Sequence, residues 1–399
     1  MIRVTITAPS PELAGPWNDL LQRAEGNVFM SPEILCAAAE ISVLHVLLAW
    51  DTQTHPHRLV GLWALREESQ TDRISSWLRP AALRSTPWDN GYCSHPVIDR
   101  ACVDEVMTAF FEALRRAPRL PKLIRLMWFD TTTPAYAAIR RLLAGSGRYW
   151  EYRRDERPFV NSPGDFKRSG KTGKRLRQQW RRLTQLPGGA DFINEREPAA
   201  VSDAFEQWLQ MEHAQWKGKQ GSSQLSSQRM AQFSRTLIAN LAKTRNVSVT
   251  SLRVDGRPIA MSVVFYCATT AYAWKTAYDA QFAQFSPGSV MLDKLVEQLL
   301  DEGEVTRIDS CSYGQSHMAQ FMTGHHSILD DAVLDVHRVV SPALVRELAG
   351  RWLQQIIRRF QARIRPRAPR VTTAANLDTF SRHETLAAAL PPIHHTEAQ

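Results

Sequence analysis

Residues 276–296, TAYDAQFAQFSPGSVMLDKLV, connect the end of a predicted strand to the start of a predicted helix. The first N–H groups of a helix have no internal partner, and the helix dipole favours a negative charge there by roughly 0.3–1 kcal/mol. This helix start therefore predicts a pyrophosphate site at Ser286, Pro287, Gly288, Ser289 and Val290. Because Ser-Pro-Gly begins many helices that bind nothing, the motif needs support from other parts of the chain.

A Gly-Lys-Thr sequence within residues 161–183 is a second candidate for anion binding. A P-loop has four residues between its first glycine and Gly-Lys-Thr, whereas five separate Gly164 from Gly170, so a P-loop is excluded. The same stretch predicts a helix over residues 172–183, with Leu176, Trp180 and Leu183 on a narrow apolar seam. We expect Arg175 and Arg177 to lie on the cleft side of this helix and to contact an anionic ligand. A solvated basic surface is the alternative.

The net charge of +9 is concentrated in two runs of the 399-residue chain. Residues 167–182 hold eight basic side chains and residues 351–370 hold seven, with no acid in either run. The rest of the chain contains 34 basic and 40 acidic residues and is therefore mildly acidic. Few aromatic residues interrupt the basic runs to stack on bases, and nucleic-acid binding is therefore not favoured.

The cysteines and histidines do not predict a metal site. The five cysteines contain no Cys-x-x-Cys pair, and adjacent His325 and His326 have no further ligands near them in sequence. No apolar run approaches the roughly 18 residues of a membrane span, and the N-terminal residues lack the apolar stretch of a signal peptide. We therefore expect a cytoplasmic protein without a metal.

The first half of the chain predicts a helix, hairpin, helix and strand in that order. Two short helices precede apolar runs at 43–50 and 58–67, which are of strand length and are joined by turn-forming residues. An amphipathic helix over residues 99–116 and a buried strand over 122–130 follow.

The second half predicts the same order again. A helix over 201–217 precedes strands at 247–254 and 257–266, and Asp255-Gly256 between these strands is typical of a tight hairpin turn. A strand over 271–278, a helix starting at Ser286 and a strand ending at Asp309 complete the series.

The repeated order predicts an α/β fold with two similar domains in tandem, each a mixed central sheet flanked by helices. We expect an N-terminal domain over 1–165, a second domain over 166–340, an amphipathic helix over 341–364 and a mobile tail over 365–399. The helix stripe of 344–364 is expected to pack on the second domain, and contact with a membrane surface or a partner is the alternative.

Several segments resemble a known acyltransferase family. KRLRQQWRRL, FEQWLQMEHAQWKGKQG, LRVDGRPIAMSVVF and residues 277–314 are similar, in this order, to GNAT-type acyltransferases of the CelD/BcsL group, which are distantly FemAB-like. The resemblance covers about 27–321 and implies tandem GNAT-like domains, with acyl-CoA, most simply acetyl-CoA, bound at the helix start of the second domain. Where many members have an aromatic-lysine pair, this chain has His317-Met318, which makes His317 a substitute for that lysine.

Acyl transfer needs a held acyl carrier, a base and donors that stabilise an oxyanion. The candidates for the base are His317, Asp309 and His213, and His317 has the more suitable ordinary pKa. Contacts with the substrate are expected from Trp216, Lys217, Tyr278 and Asp279, in addition to Arg175 and Arg177.

Three functions remain open on this basis. The first is transfer of an acyl group from acyl-CoA to an amine or hydroxyl of a sugar, a polysaccharide precursor or a related envelope metabolite. The second is FemAB-like transfer from aminoacyl-tRNA, and the third is a non-catalytic scaffold in a polysaccharide-synthesis complex.

Overall fold

The computed structural model describes residues 1–68, 79–162, 165, 170–313, 316, 318–322 and 324–364. His317 and the tail expected over 365–399 lie outside this part of the chain, so both expectations stay predictions.

The first half of the chain forms four helices and seven strands among its described residues. The predicted strands at 43–50 and 58–67 are confirmed as an antiparallel hairpin, β2 and β3. In order, the elements are β1 (Ile2–Thr7), α1 (Ala14–Leu21), α2 (Pro32–Ala38), β2 (Leu44–Asp51), β3 (Arg58–Glu67), β4 (Leu83–Arg84), β5 (Val97–Ile98), α3 (Val103–Arg116), β6 (Leu123–Asp130), α4 (Pro134–Leu142) and β7 (Tyr149–Val160).

The second half repeats the predicted order of helix, hairpin, helix and strand. The Asp255-Gly256 turn is confirmed, because both residues have positive φ, 51° and 70°, between two paired strands. In order, the elements are α5 (Gly170–Thr184), β8 (Ala190–Glu195), α6 (Pro198–His213), α7 (Trp216–Lys219), α8 (Gln228–Lys243), β9 (Val247–Val254), β10 (Arg257–Cys267), β11 (Thr270–Tyr278), α9 (Pro287–Asp301), β12 (Arg307–Asp309), β13 (His325–Asp335) and α10 (Pro342–Ile364).

All strands belong to one mixed sheet, in which the two halves exchange a strand. The sheet order is β1-β2-β3-β4-β6-β13-β7-β12-β11-β10-β9-β8, and β5 pairs with β3. Strand β13 therefore lies between β6 and β7 of the first half, while β7 pairs with β12 of the second. The α/β fold with a mixed sheet and flanking helices is confirmed. The division of the chain at 165/166 stays a prediction, since a continuous sheet crosses it.

The largest core cluster also spans both halves. Phe29, which follows α1, packs with ring centroids 6.2 Å from Phe265 of β10 and 5.7 Å from Tyr272 of β11. Trp208 of α6 and Phe233 of α8 belong to the same cluster. Folding of the two halves is consequently coupled through buried apolar surface as well as through backbone pairing.

The predicted seam of helix α5 docks as expected. Leu176 is buried in a cluster with residues of α9, and Trp180 packs against the same cluster. The ammonium group of Lys294 lies 5.4 Å from the Trp180 ring. Helix α5 therefore covers α9, which carries the predicted anion site.

Candidate functional site

Strands β11 and β12 separate after a short parallel pairing. They pair over three positions, the last of which is Tyr272 with Asp309. The chain then turns away from the sheet at Cys311, which has a φ of 48°, while β11 continues to Tyr278 paired with β10. In the described part of the chain, the other edge of residues 273–278 has no strand partner. Apart from the Tyr278 carbonyl, which accepts from the side chain of Gln215, its backbone N–H and C=O groups can therefore pair with the amides of an extended ligand.

The start of helix α9 offers fewer free donors than the sequence suggested. Ser286 has a left-handed conformation, with φ 50° and ψ 53°, and its carbonyl accepts hydrogen bonds from the backbone N–H groups of Ser289 and Val290 at 3.0 and 3.1 Å. Pro287 has no N–H. The backbone N–H of Gly288 is therefore the donor in the first turn that makes no hydrogen bond within the helix. The helix dipole strengthens the attraction of an anion to this N–H group.

The open edge of β11 and the start of α9 are adjacent. A Cβ atom placed on Gly288 would lie 4.0 Å from Cγ2 of Thr276, and no closer atom surrounds it. The fold therefore does not require glycine at this position, and the space outside the helix start is open.

A buried charge cluster lies on the opposite side of β11. The Nζ atoms of Lys217 and Lys275 are 3.3 and 4.0 Å from Oε1 of Glu212, whose side chain is almost fully buried. The other carboxylate oxygen of Glu212 accepts the backbone N–H of Gln224 at 2.9 Å. This Glu212 cluster ties α6, β11 and the chain that follows α6 together.

The residues between α6 and α8, 214–227, form a tightly held connecting segment. A Cβ atom on Gly218 would lie 1.8 Å from the carbonyl oxygen of His213, so only glycine allows this approach. The side-chain amide of Gln215 donates to the backbone carbonyl of Tyr278. The connecting segment is therefore fixed at the end of β11, beside the open edge.

His213 lies at the junction of α6 and the connecting segment, and it is exposed. Its Nδ1 atom is 2.8 Å from Oγ of Ser223, which in turn lies 2.8 Å from Oγ of Ser226. In the tautomer that donates from Nδ1 to Ser223, the Nε2 atom carries a lone pair and can accept a proton. Of the two base candidates that the structure describes, His213 and Asp309, His213 has the geometry of a base.

Residues 170–317 match the family described as an acetyltransferase (GNAT) domain. This range begins with α5 and extends past β12, so it contains both the open edge and the helix start. The part of the chain that holds the open edge and the helix start is therefore similar to GNAT-type acetyltransferase domains.

Solved structures resemble most of the chain in fold. A conserved protein of unknown function from Bacteroides thetaiotaomicron VPI-5482 has a TM-score of 0.54 at 10% identity, covering 84% of this chain and 100% of that one. FemX gives 0.52 at 8% identity, covering 88% and 99%. L-PGS from Bacillus licheniformis gives 0.51 at 14% identity, covering 87% and 98%. No curated protein matches this sequence. At such low identities the likeness concerns the fold alone.

Asp309 of β12 is held in an ion pair. Its Oδ1 atom lies 3.7 Å from Nε of Arg157 on β7 and accepts the backbone N–H of Cys311 at 2.8 Å. Burial lowers the pKa of Arg157, but the neighbouring negative charges, that of Asp309 foremost, outweigh it and raise the pKa above its ordinary value. To accept a proton, Asp309 would have to give up this partner, so we assign it a role in joining the halves.

The substrate-binding candidates of the second half have different surroundings. Lys217 belongs to the Glu212 cluster, and the backbone of Trp216 begins α7, while its side chain lies outside the described part. Tyr278 is half-buried at the end of β11, and burial raises the pKa of its hydroxyl. Asp279 accepts the backbone N–H of Gln281 and pairs with Arg257 at 2.6 Å, which indicates a turn-stabilising role.

Arg175 and Arg177 are both exposed on α5, one on each side of buried Leu176. Residues two apart in an α-helix project about 160° apart, so these two side chains cannot both face one cleft. The predicted contact with an anionic ligand therefore applies to one of them at most.

Sequence reasoning missed Glu212 and Lys275. Glu212 directly precedes the candidate His213, and Lys275 interrupts the apolar β11, where a charged residue at a buried position is itself a signal. Among the described residues, no group of three or more His, Cys, Asp or Glu side chains is placed to hold a metal ion. In the same part of the chain, no helix is both long and apolar enough to cross a membrane.

Proposed function

We propose that the protein transfers an acyl group from acyl-CoA, most simply acetyl-CoA, to an amine or hydroxyl of an acceptor. The observation that carries this proposal is the adjacency of the open β11 edge and the α9 start at Gly288. The edge provides amide partners for an extended carrier, and the helix start provides a donor and a dipole for its phosphates. The match of residues 170–317 to an acetyltransferase domain supports the same donor.

The acceptor is proposed to enter on the side of the connecting segment. When bound, acyl-CoA supplies an activated thioester carbon. The acceptor nitrogen or oxygen forms a bond to this carbon, the C–S bond breaks, and the coenzyme thiolate leaves. His213 Nε2 takes the proton that the acceptor loses, and Ser223 holds the imidazole through Nδ1. Backbone N–H groups along the β11 edge stabilise the oxyanion.

We further propose, from the sequence resemblance to the CelD/BcsL group, that the acceptor is a sugar, a polysaccharide precursor or a related envelope metabolite. With such an acceptor, the protein could act as part of a polysaccharide-synthesis complex. Product analysis with amino sugars and neutral sugars would distinguish N-transfer from O-transfer.

Transfer from aminoacyl-tRNA is the second candidate, and exposed basic side chains on α5 favour it. Lys171, Lys174, Arg175, Arg177, Arg181 and Arg182 are all exposed along this helix. Binding of tRNA that weakens steeply with salt, without affinity for acetyl-CoA, would select this function. If the protein bound neither tRNA nor acetyl-CoA, the non-catalytic scaffold would be the remaining function.

Gly288→Glu is expected to weaken acetyl-CoA binding by at least about tenfold, because a carboxylate would stand where a phosphate is proposed to bind. The same charge at a helix N-terminus is favourable for the helix, so thermal stability should be kept or raised. Isothermal titration calorimetry measures the first effect, and a thermal melt measures the second.

Gly288→Ala is the matched control, since a methyl group has room at 4.0 Å from Thr276. It should fold normally and retain most of the affinity for acetyl-CoA. Wild-type protein that fails to bind acetyl-CoA would contradict the proposed donor. Unchanged affinity in a folded Gly288→Glu protein would contradict the proposed position of the phosphates.

A further inference from the structure

Helix α10 has an apolar stripe that faces away from the protein. Leu344 is buried in a cluster with Ala82, Leu123 and Val333, and Leu348 packs against this cluster. The helix therefore docks over β6 and β13 and touches the first half, not only the second domain as the sequence suggested. By contrast, four apolar residues remain solvent-exposed, namely Val345 (57%), Trp352 (65%), Leu353 (38%) and Ile357 (45%).

The exposed apolar residues lie together on one side of the helix. At about 100° per residue, Val345, Trp352, Leu353 and Ile357 fall within an arc of roughly 140°. Leu344, Glu347 and Arg351, which contact the body, project on the other side. We call the four exposed residues the α10 stripe. A helix with apolar residues on both sides buries one side against the protein. Its solvent-facing apolar side is typical of a surface that binds a partner or a membrane.

The sequence of α10 carries a net positive charge. Glu347 is the only acidic residue between 342 and 364, and it is buried in ion pairs with Arg125 at 2.6 Å and Arg351 at 2.7 Å. Residues 351–370 contain seven arginines and no acid. The helix therefore offers no acidic side chain to its surroundings, while the rest of the chain outside the two basic runs is mildly acidic.

We propose that α10 docks on an anionic lipid membrane surface, with the α10 stripe in the headgroup region and the net positive charge of the helix attracted to the lipid phosphates. Exposed tryptophan and aliphatic residues on a basic helix are typical of helices that lie in the interface plane. A second copy of the chain is a poorer partner, because two such helices would bring like charges together. This proposal does not depend on the acyl donor.

Co-sedimentation with vesicles tests the proposal. Full-length protein should bind vesicles that contain phosphatidylglycerol more tightly than vesicles of phosphatidylcholine alone, and this binding should weaken as salt is raised. The double variant Trp352→Gln/Ile357→Gln should bind at least about tenfold more weakly. Both positions are exposed, so the variant is expected to fold and to keep its affinity for acetyl-CoA.

Val43→Gln is the matched control, because Val43 is an exposed aliphatic residue (58%) that precedes β2 and is not part of α10. It should bind vesicles like the wild type. Equal losses in the control and the double variant would overturn the proposal, as would a wild type that binds neither vesicle type. If sedimentation velocity showed a dimer that the double variant abolishes and no vesicle binding, the stripe would belong to an interface between copies.

Discussion

Replacing Arg157 with methionine is expected to lower the free energy of unfolding by about 3–5 kcal/mol. Arg157 is 1% exposed and joins β7 to two other parts of the molecule. Its guanidinium group lies 3.7 Å from the Asp309 carboxylate and donates to the carbonyl oxygen of Tyr92 at 2.7 Å and to the sulfur of Cys93 at 3.1 Å. Methionine would fill part of the volume but leave Asp309 charged and buried without its partner.

Urea denaturation followed by circular dichroism measures this loss. Arg141→Met is the matched control, because the Arg141–Asp104 pair is 2.6 Å apart but well exposed, and its loss should cost at most about 1 kcal/mol. Adding Asp309→Asn to Arg157→Met should recover part of the stability by removing the uncompensated charge. Equal effects of the two arginine variants would contradict the role of Arg157 in joining the halves.

The hairpins and the α9 start could be predicted because local residues determine them. Asp255-Gly256 accepts positive φ at both positions, and Ser286-Pro287-Gly288 places proline where a helix has no use for its N–H. The apolar runs of β2 and β3 are continuous because both strands are buried. These features depend on near neighbours in the sequence.

The exchange of strands between the two halves could not be predicted from the sequence. The charged residues of β7 find their partners on β13, which is distant in the sequence. Residues 153–157 are all charged, yet they lie in β7. Arg154 is 2.8 Å from Asp330 of β13, which is fully buried and also accepts hydrogen bonds from Tyr136 and Tyr149. Partners almost two hundred residues apart leave no periodic signal in a single sequence.

The side of the candidate site that is proposed to bind the acyl donor could be predicted from the sequence. The side proposed to bind the acyl acceptor could be predicted only in part. The helix start is a local motif, whereas the Glu212 cluster forms because β11 and the connecting segment meet in space. Lys217 was recognised from the sequence, but its partner Glu212 and its neighbour Lys275 were not. Sequence position alone does not show that an α6 carboxylate faces a lysine of β11.

Glu212→Gln is therefore expected to have the second large effect, lowering the free energy of unfolding by about 3 kcal/mol. The substitution keeps the shape of the side chain but leaves the ammonium groups of Lys217 and Lys275 near each other without the buried carboxylate. Because Glu212 also accepts the backbone N–H of Gln224, the connecting segment should shift relative to β11. A shift of this kind can lower kcat/KM for the acceptor by about a hundredfold.

Glu206→Gln on the same helix provides the matched control. Glu206 pairs with Arg235 at 2.5 Å, but both side chains are more than 40% exposed, so the loss should be at most about 1 kcal/mol. Glu212 is proposed as a positioning residue on the acceptor side. Glu212→Gln should therefore keep its affinity for acetyl-CoA in calorimetry while turnover of the acceptor falls. Loss of acetyl-CoA affinity in folded Glu212→Gln protein would contradict the separation of donor and acceptor sides across β11.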